Sequence, residues 1–211
     1  MLEINISKKK YSDKTILENV NVSIKENGIY GVIGKNGHGK TTFFKCILGL
    51  TTYNGNCSIN GNSVLLQDTG WVPTEPPVYD ELTAKEFYNF YTHLLDLKEV
   101  AIKPIFEVSE NQLIKEFSTG MKKKVYLNAV FQKEYSFYIL DEPFNGLDLE
   151  SNFLLMNYIR QLSKTSIVFI SSHILEILYK DCRKIFLVKN MKIEEFEKNQ
   201  FEKIEETLLF K

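Results

Sequence analysis

The sequence predicts an α/β fold with a mainly parallel sheet at its core, an antiparallel β subdomain beside it and a small helical subdomain. Three observations carry that expectation. Short runs that are apolar throughout alternate with helical stretches, as strands buried on both faces of a parallel sheet do. The first runs of the chain instead alternate apolar with polar residues, the period-two pattern of a sheet with one wet face. Between the two kinds lies a glycine-rich loop, Gly34-Lys35-Asn36-Gly37-His38-Gly39-Lys40-Thr41, joining a buried run to a helix.

Each element has its own local reason. Leu2, Ile4 and Ile6, then Val20, Val22 and Ile24, alternate with polar neighbours and predict antiparallel strands. Residues 29–33 are apolar and bounded by Gly28 and Gly34, which marks a strand buried on both faces; a helix over 40–48 follows. Asn60-Gly61 accepts the positive φ angles of a tight turn and predicts a second hairpin. Thr83 with Glu86 makes a capping box, and Phe87, Phe90, Tyr91, Leu94 and Leu95 share a single apolar helix face. Residues 97–115 are less regular: Pro104 interrupts them, and Ser109 with Gln112 makes a weaker capping box. A helix over 121–132 comes next. Three more buried strands, Phe137–Leu140, Ile167–Ser171 and 184–188, are separated by helices, and after Met191 a Lys/Glu-rich tail changes character.

Size and charge narrow the function. The 211 residues suffice for one good core, so one domain is expected and a large multidomain machine is excluded. With 26 Lys+Arg against 27 Asp+Glu the balance is near neutral, which argues against a dedicated nucleic-acid binder. No run reaches the roughly 18 apolar residues of a membrane helix, and the first residues carry no apolar signal region, so a cytosolic chain is expected. Cys46, Cys57 and Cys182 form no CxxC pair, and the three histidines are scattered, so neither a disulfide framework nor a local metal cluster is predicted.

The loop from Gly34 to Thr41 matches GxxxxGK[ST] in the context that motif requires, directly after a buried strand and before a helix. The chain therefore reads as a P-loop NTPase. Gly34, Asn36, Gly37, His38 and Gly39 let backbone N–H groups turn inward onto a phosphate, and the helix N-terminus adds the positive end of its dipole. His38 is expected to contribute its backbone N–H, its side chain pointing outward. Lys40 is expected to reach the β- and γ-phosphates and the Thr41 hydroxyl to hold Mg²⁺, with Thr42 completing the set. The strand Phe137–Leu140 ends in Asp141 and Glu142, where an α/β sheet places its ligand. Asp141 is the candidate Mg²⁺ residue, through its water shell, and Glu142 the candidate base for the attacking water.

With these motifs in place the chain resembles the ATP-binding subunit of ABC transporters over nearly its whole length and in the family's order. Phe117-Ser118-Thr119-Gly120-Met121 matches the family's LSGGQ signature in a variant form common among exporter ATPases, and Asn145-Gly146-Leu147-Asp148 matches its D-loop. His173 matches the switch histidine and Tyr11 the aromatic that stacks on adenine. The resemblance implies that Ser118 and Gly120 face the γ-phosphate held by a second cassette, so that two chains, homodimer or heterodimer, sandwich two ATP molecules head to tail. It implies that Asp148 communicates across that interface and that His173 contacts the γ-phosphate. It divides the single domain of residues 1–211 into a core of 1–73 and 119–211 and a helical subdomain of about 74–118. The groove between them receives a helix of a membrane-spanning subunit, with Tyr79 a groove-lining candidate, while Phe87, Phe90 and Tyr91 read as mostly core. A cytoplasmic ATPase, peripheral on the inner face of the cell membrane, is implied.

Two departures stand out. Thr74 occupies the Q-loop position, too short to reach as glutamine does, and Thr119 replaces the first signature glycine, where bulk restricts close approach to phosphate. The stretches Gly70-Trp71-Val72-Pro73 and 76–83 resemble exporter ATPases. Lys122, Lys123 and Lys124 read as a solvated helix face. The expected function is ATP hydrolysis that powers export. The alternatives are a soluble ABC-type ATPase acting on a non-transport complex and a hydrolysis-impaired regulatory cassette.

Overall fold

The computed structural model describes residues 1–97 and 104–209, Leu209 by its backbone alone. The first alternating runs form β1 (Leu2–Tyr11) and β2 (Lys14–Ile24), antiparallel, with Ile4 opposite Val22 and Ile6 opposite Val20. Period two sends every second side chain to one face, so these apolar residues are buried while Asn21 and Ser23 meet water. β3 (Gly28–Ile33) is buried along its whole length and leads through the glycine-rich loop into α1 (Lys40–Ile47). β4 (Asn54–Ile59) returns to the free edge of β1, and Asn60-Gly61, with φ of 51° and 82°, turns it back into β5 (Asn62–Ser63). The small sheet therefore runs β2-β1-β4-β5.

The larger sheet adds β6 (Gly70–Val72), β7 (Phe137–Leu140), β8 (Ile167–Ser171), β9 (Lys184–Lys189) and β10 (Lys192–Glu197), in the order β10-β9-β3-β8-β7-β6. Every pair in it is parallel except β10 on β9. β6, three residues long, is too short to show periodicity, and β10 belongs to the tail. On β10 only Ile193 and Phe196 are partly covered, the other residues being exposed and charged, which suits an edge strand.

The sheet's two faces feed two cores. Tyr30, Val32, Phe137, Ile139 and Phe169 pack with Phe43 and Phe44 of α1 against the small sheet. Ile29, Ile33, Tyr138, Leu140, Val168 and Ile170 face the other way, toward α2 (Ala84–Leu94), α3 (Thr119–Val130), α4 (Leu149–Leu162) and α5 (Leu175–Asp181). The tail closes this second core: Phe201 and Ile204, the latter on α6 (Glu202–Leu209), are buried in it. The three cysteines are free and buried, and burial pushes the Cys46 thiol up to about 12.

Several expectations are corrected here. Thr83 caps α2 through the expected box, but only part of its apolar face is covered: Phe87 is buried, whereas Phe90 and Leu94 are 40% and 63% exposed. Ser109 and Gln112 cap no helix. Leu113 instead bridges to Thr83, and a single 3-10 turn, Ile114–Glu116, follows. Part of the irregular stretch 97–115, residues 98–103, lies outside the described residues, as do 210 and 211 of the tail. α3 begins two residues earlier than expected because Ser118 caps it.

Candidate nucleotide site

The parallel pairing brings the motif residues to one end of the sheet. The loop after β3, Asp141 and Glu142 after β7, and His173 after β8 all follow the carboxyl ends of strands that neighbour one another in the order β3-β8-β7. Thr74 follows β6, the next strand out. This is where an open α/β sheet holds a ligand.

Gly39 stands at the N-cap of α1 with φ of +108°, and a Cβ there would lie 2.9 Å from Ile16 Cγ2, so both conformation and space demand glycine. The contact with Ile16 also sets the β1–β2 hairpin end against the loop. Tyr11 lies at that hairpin end, 45% exposed, with the Lys9 ammonium 4.0 Å from its ring centroid. Within the loop, Lys40 is buried and folds back to donate to the Gly34 carbonyl at 2.9 Å. Asn36 and Gly37 are exposed, Gly37 with φ of +79°. The His38 N–H donates to Lys35 O at 3.1 Å, so it is engaged within the loop itself. Thr42 follows on α1, partly buried.

Asp141 is fully buried and its carboxylate accepts from three hydroxyls. Thr41 Oγ1 donates to its Oδ2 at 2.6 Å, Thr74 Oγ1 to the same oxygen at 2.9 Å, and Ser171 Oγ to Oδ1 at 2.5 Å. Thr74 joins the cluster because β6 lies beside β7 and delivers its hydroxyl to the carboxylate. The hydroxyl of Ser171 also accepts from the Glu142 N–H at 2.8 Å. Sequence reasoning assigned Ser171 to a strand and no more; a polar residue ending a buried strand beside Ser172-His173 was the available signal. Thr41, Thr74 and Asp141 together offer hard oxygen donors of the kind Mg²⁺ accepts. Among the described residues no group of three or more His, Cys, Asp or Glu is placed to hold a metal unaided.

Glu142 adopts φ of +51°, a left-handed conformation that costs a non-glycine residue free energy. Its Oε1 lies 2.9 Å from His173 Nε2 and 3.9 Å from Lys40 Nζ, the latter beyond hydrogen-bond reach, and this buried oxygen has no hydrogen-bond partner. Burial raises the Glu142 carboxyl above its ordinary value; His173, then Lys40 and Lys123, pull it back, while Asp141 pushes with burial. The result is a carboxylate oxygen beside Lys40 and His173 with a lone pair free to accept a proton from water.

The signature residues lie elsewhere on the same chain. Ser118 Oγ accepts from Met121 N at 3.2 Å as the cap of α3, and Thr119 is exposed at its first position. Gly120 packs so closely on the D-loop that a Cβ would sit 2.3 Å from Gly146 O. Asp148 caps α4 by accepting from Ser151 N and pairs with Lys124 at 2.8 Å; the Lys124 contact first, then the backbone of Ser151, hold its carboxyl well below the usual range. The three lysines are not a solvated face: Lys122 pairs with Asp80 at 2.6 Å, Lys124 with Asp148, and Lys123 is buried. Their spacing showed only that they lie on successive positions of a helix, not what loops the fold would lay against them. An apolar groove of about 540 Å³ lies between α2, α3 and β6, lined by Leu66, Trp71, Leu94, Tyr126, Val130 and Tyr135 among others. Tyr79 is not in its lining and packs edge-on against Phe90 instead.

Fold and site together define a P-loop nucleotide hydrolase. The ABC transporter family model matches residues 17–145. A lantibiotic transport ATP-binding protein of Streptococcus pyogenes is 34% identical over 83% of this chain and 81% of its own length. A peptide export ATP-binding protein of Bacillus subtilis is 28% identical over 92% of this chain and 87% of its own length. A solved structure of the ATP-binding subunit of an ABC transporter superposes with a TM-score of 0.87 at 27% identity, covering 99% of this chain and 94% of that one. The chain belongs to the ABC transporter family, as an ATP-binding subunit with ATPase activity coupled to transport. Among the described residues no helix is long and apolar enough to cross a membrane.

Proposed function

We propose that the chain powers export, working at the inner face of the cell membrane against membrane-spanning subunits, with a second cassette completing each ATP site. The observation that carries the reading is the convergence of Lys40, Thr41, Asp141, Glu142 and His173 at the ends of adjacent parallel strands. Export is supported by the names of two relatives, a lantibiotic transport and a peptide export ATP-binding protein. The apolar groove between α2, α3 and β6 is the surface offered to a helix of the membrane subunit.

In this reading, ATP lies along the loop from Gly34 to Thr42, with Tyr11 against adenine. Lys40 leaves the Gly34 carbonyl for the phosphates, exchanging a neutral acceptor for a charged one. Thr41 and Asp141 hold Mg²⁺, which supplies neutralisation of phosphate charge when bound. Glu142 accepts the proton of the attacking water and His173 holds the γ-phosphate. Ser118 and Gly120 serve the site of the other cassette, and Asp148 stands at the boundary between them. Thr74 stands at the Q-loop place with its hydroxyl on Asp141, and the presence of Glu142 beside His173 favours a working site over a regulatory one.

Replacement of Glu142 by Gln tests the assignment. The Glu142→Gln chain is expected to lose about two orders of magnitude or more in steady-state turnover while still binding ATP, because proton transfer is lost and the phosphate contacts are not. An unimpaired ATPase rate sinks the role given to Glu142.

A further inference from the structure

Lys123 lies early in α3, close to the Ser118 cap, yet it is only 3% exposed. A lysine on a helix ordinarily carries its ammonium out to water. Here Nζ turns inward and donates to the backbone carbonyl of Glu142 at 2.9 Å. Burial lowers its pKa, and the carboxylates of Glu142 and Asp141 act in the opposite sense. A methionine would fill the same space without desolvating a charge, so packing alone does not account for an ammonium at this place.

The group it binds is the one in need of support. Glu142 has φ of +51°, and such a conformation persists only where its surroundings hold it. Its N–H is tied to Ser171 at the end of β8, and its C=O is tied to Lys123 on α3. The same helix carries Ser118 and Gly120 at its N-terminus, and Gly120 and Lys124 of that helix contact Gly146 and Asp148 of the segment that follows Glu142. The candidate base is thus braced from one side by its own sheet and from the other by the signature helix.

We propose that Lys123 is a positioning residue that holds the Glu142 backbone in its left-handed conformation and so ties the hydrolytic half-site of a chain to the signature half-site carried by its own α3. The inference rests on the ATPase reading above. A displacement of α3, when the phosphate of the opposite site arrives or leaves, is passed to the Glu142 carbonyl through one ammonium. Each chain then links the two composite sites internally, in addition to any contact across the dimer.

The test compares Lys123→Met and Lys123→Arg with the wild-type full chain, measuring kcat and KM for ATP, the affinity for a fluorescent ATP analogue and the thermal unfolding midpoint. Lys123→Met is expected to lower kcat about tenfold to a hundredfold, the scale of a misplaced catalytic group, and to leave KM and analogue affinity within about twofold. Lys123→Arg, which keeps a charged donor, is expected to retain more than about a third of wild-type kcat. The proposal is overturned if Lys123→Met turns over at the wild-type rate, if kcat and affinity fall together, or if arginine rescues no better than methionine. Should Lys123→Met fail to fold, Lys123→Gln takes its place, and unfolding of both uncharged variants assigns the residue to the fold and overturns the proposal. A wild-type chain that does not hydrolyse ATP refutes the ATPase reading itself; wild-type hydrolysis beside a fully active Lys123→Met refutes this assignment alone.

Discussion

Ser171 shows how much one hydroxyl can organise. It donates to Asp141 Oδ1 and accepts from the Glu142 N–H, so one side chain orients the candidate metal residue and the candidate base together. Its oxygen lies in a place from which water is excluded, and Ser171→Ala leaves the buried Glu142 N–H without an acceptor. Stability is expected to fall by about 1–3 kcal/mol. For a chain of this size that is roughly 2–4 °C in the unfolding midpoint for each kcal/mol, measured by calorimetry. ATP turnover is expected to fall more than ATP affinity, since the hydroxyl touches the hydrolytic residues and not Lys40. A variant with wild-type midpoint and turnover refutes the role. Neither this hydroxyl nor the one on Thr74 stands out in the sequence: serine and threonine are common at strand ends, and only the pairing of β6, β7 and β8 aims both at Asp141.

At the scale of elements, local rules and tertiary context divide the work visibly. The capping box of α2 is a local device, and it forms as read: Thr83 Oγ1 accepts from Glu86 N at 3.2 Å while Glu86 Oε2 accepts from Thr83 N at 2.8 Å. Thr83→Ala is expected to weaken the start of α2 by about 1 kcal/mol. Hydrogen exchange of the first-turn amides is then expected to quicken by about fivefold, and an unchanged exchange rate contradicts it. The apolar face of the same helix tells the other half. Its periodicity is genuine, but α3 covers Phe87 while Leu94 is left beside an open groove and Phe90 stays 40% exposed against Tyr79. A helical pattern shows which side chains share a face; what lies opposite that face is decided by parts of the chain far away in sequence.

For the whole molecule, Ser118 and Gly120 stand at the start of α3, on another element than the phosphate loop, where they are proposed to serve the site of a second cassette. In the proposed head-to-tail pair, ATP joins the loop of one chain to the signature of another. The Glu142→Gln chain, unable to turn over, is expected to double in mass with ATP and Mg²⁺ in size-exclusion chromatography with light scattering. Adding Ser118→Arg, which fills the anion site at the start of α3, is expected to keep it monomeric. A monomer in both cases refutes the arrangement for two copies of this chain and leaves a different second cassette as the partner.

The sequence by itself determined the strands other than β6 and β10, the phosphate loop and the acidic strand end, because each rests on periodicity or spacing within a short window, and the order of motifs along the chain pointed to the family. Alternation sorts Ile4 and Val22 to a buried face, and a glycine at Gly39 is demanded by a φ that its own loop imposes. Tertiary structure alone decided the hydroxyl shell of Asp141, the inward turn of Lys123 and the partners of Lys122 and Lys124. These contacts join residues tens of positions apart, brought together by a parallel sheet whose crossovers carry no local mark of where they return. Hydrogen bonds and buried charges depend on what the fold places within about 3 Å, and that distance is set by packing rather than by sequence spacing.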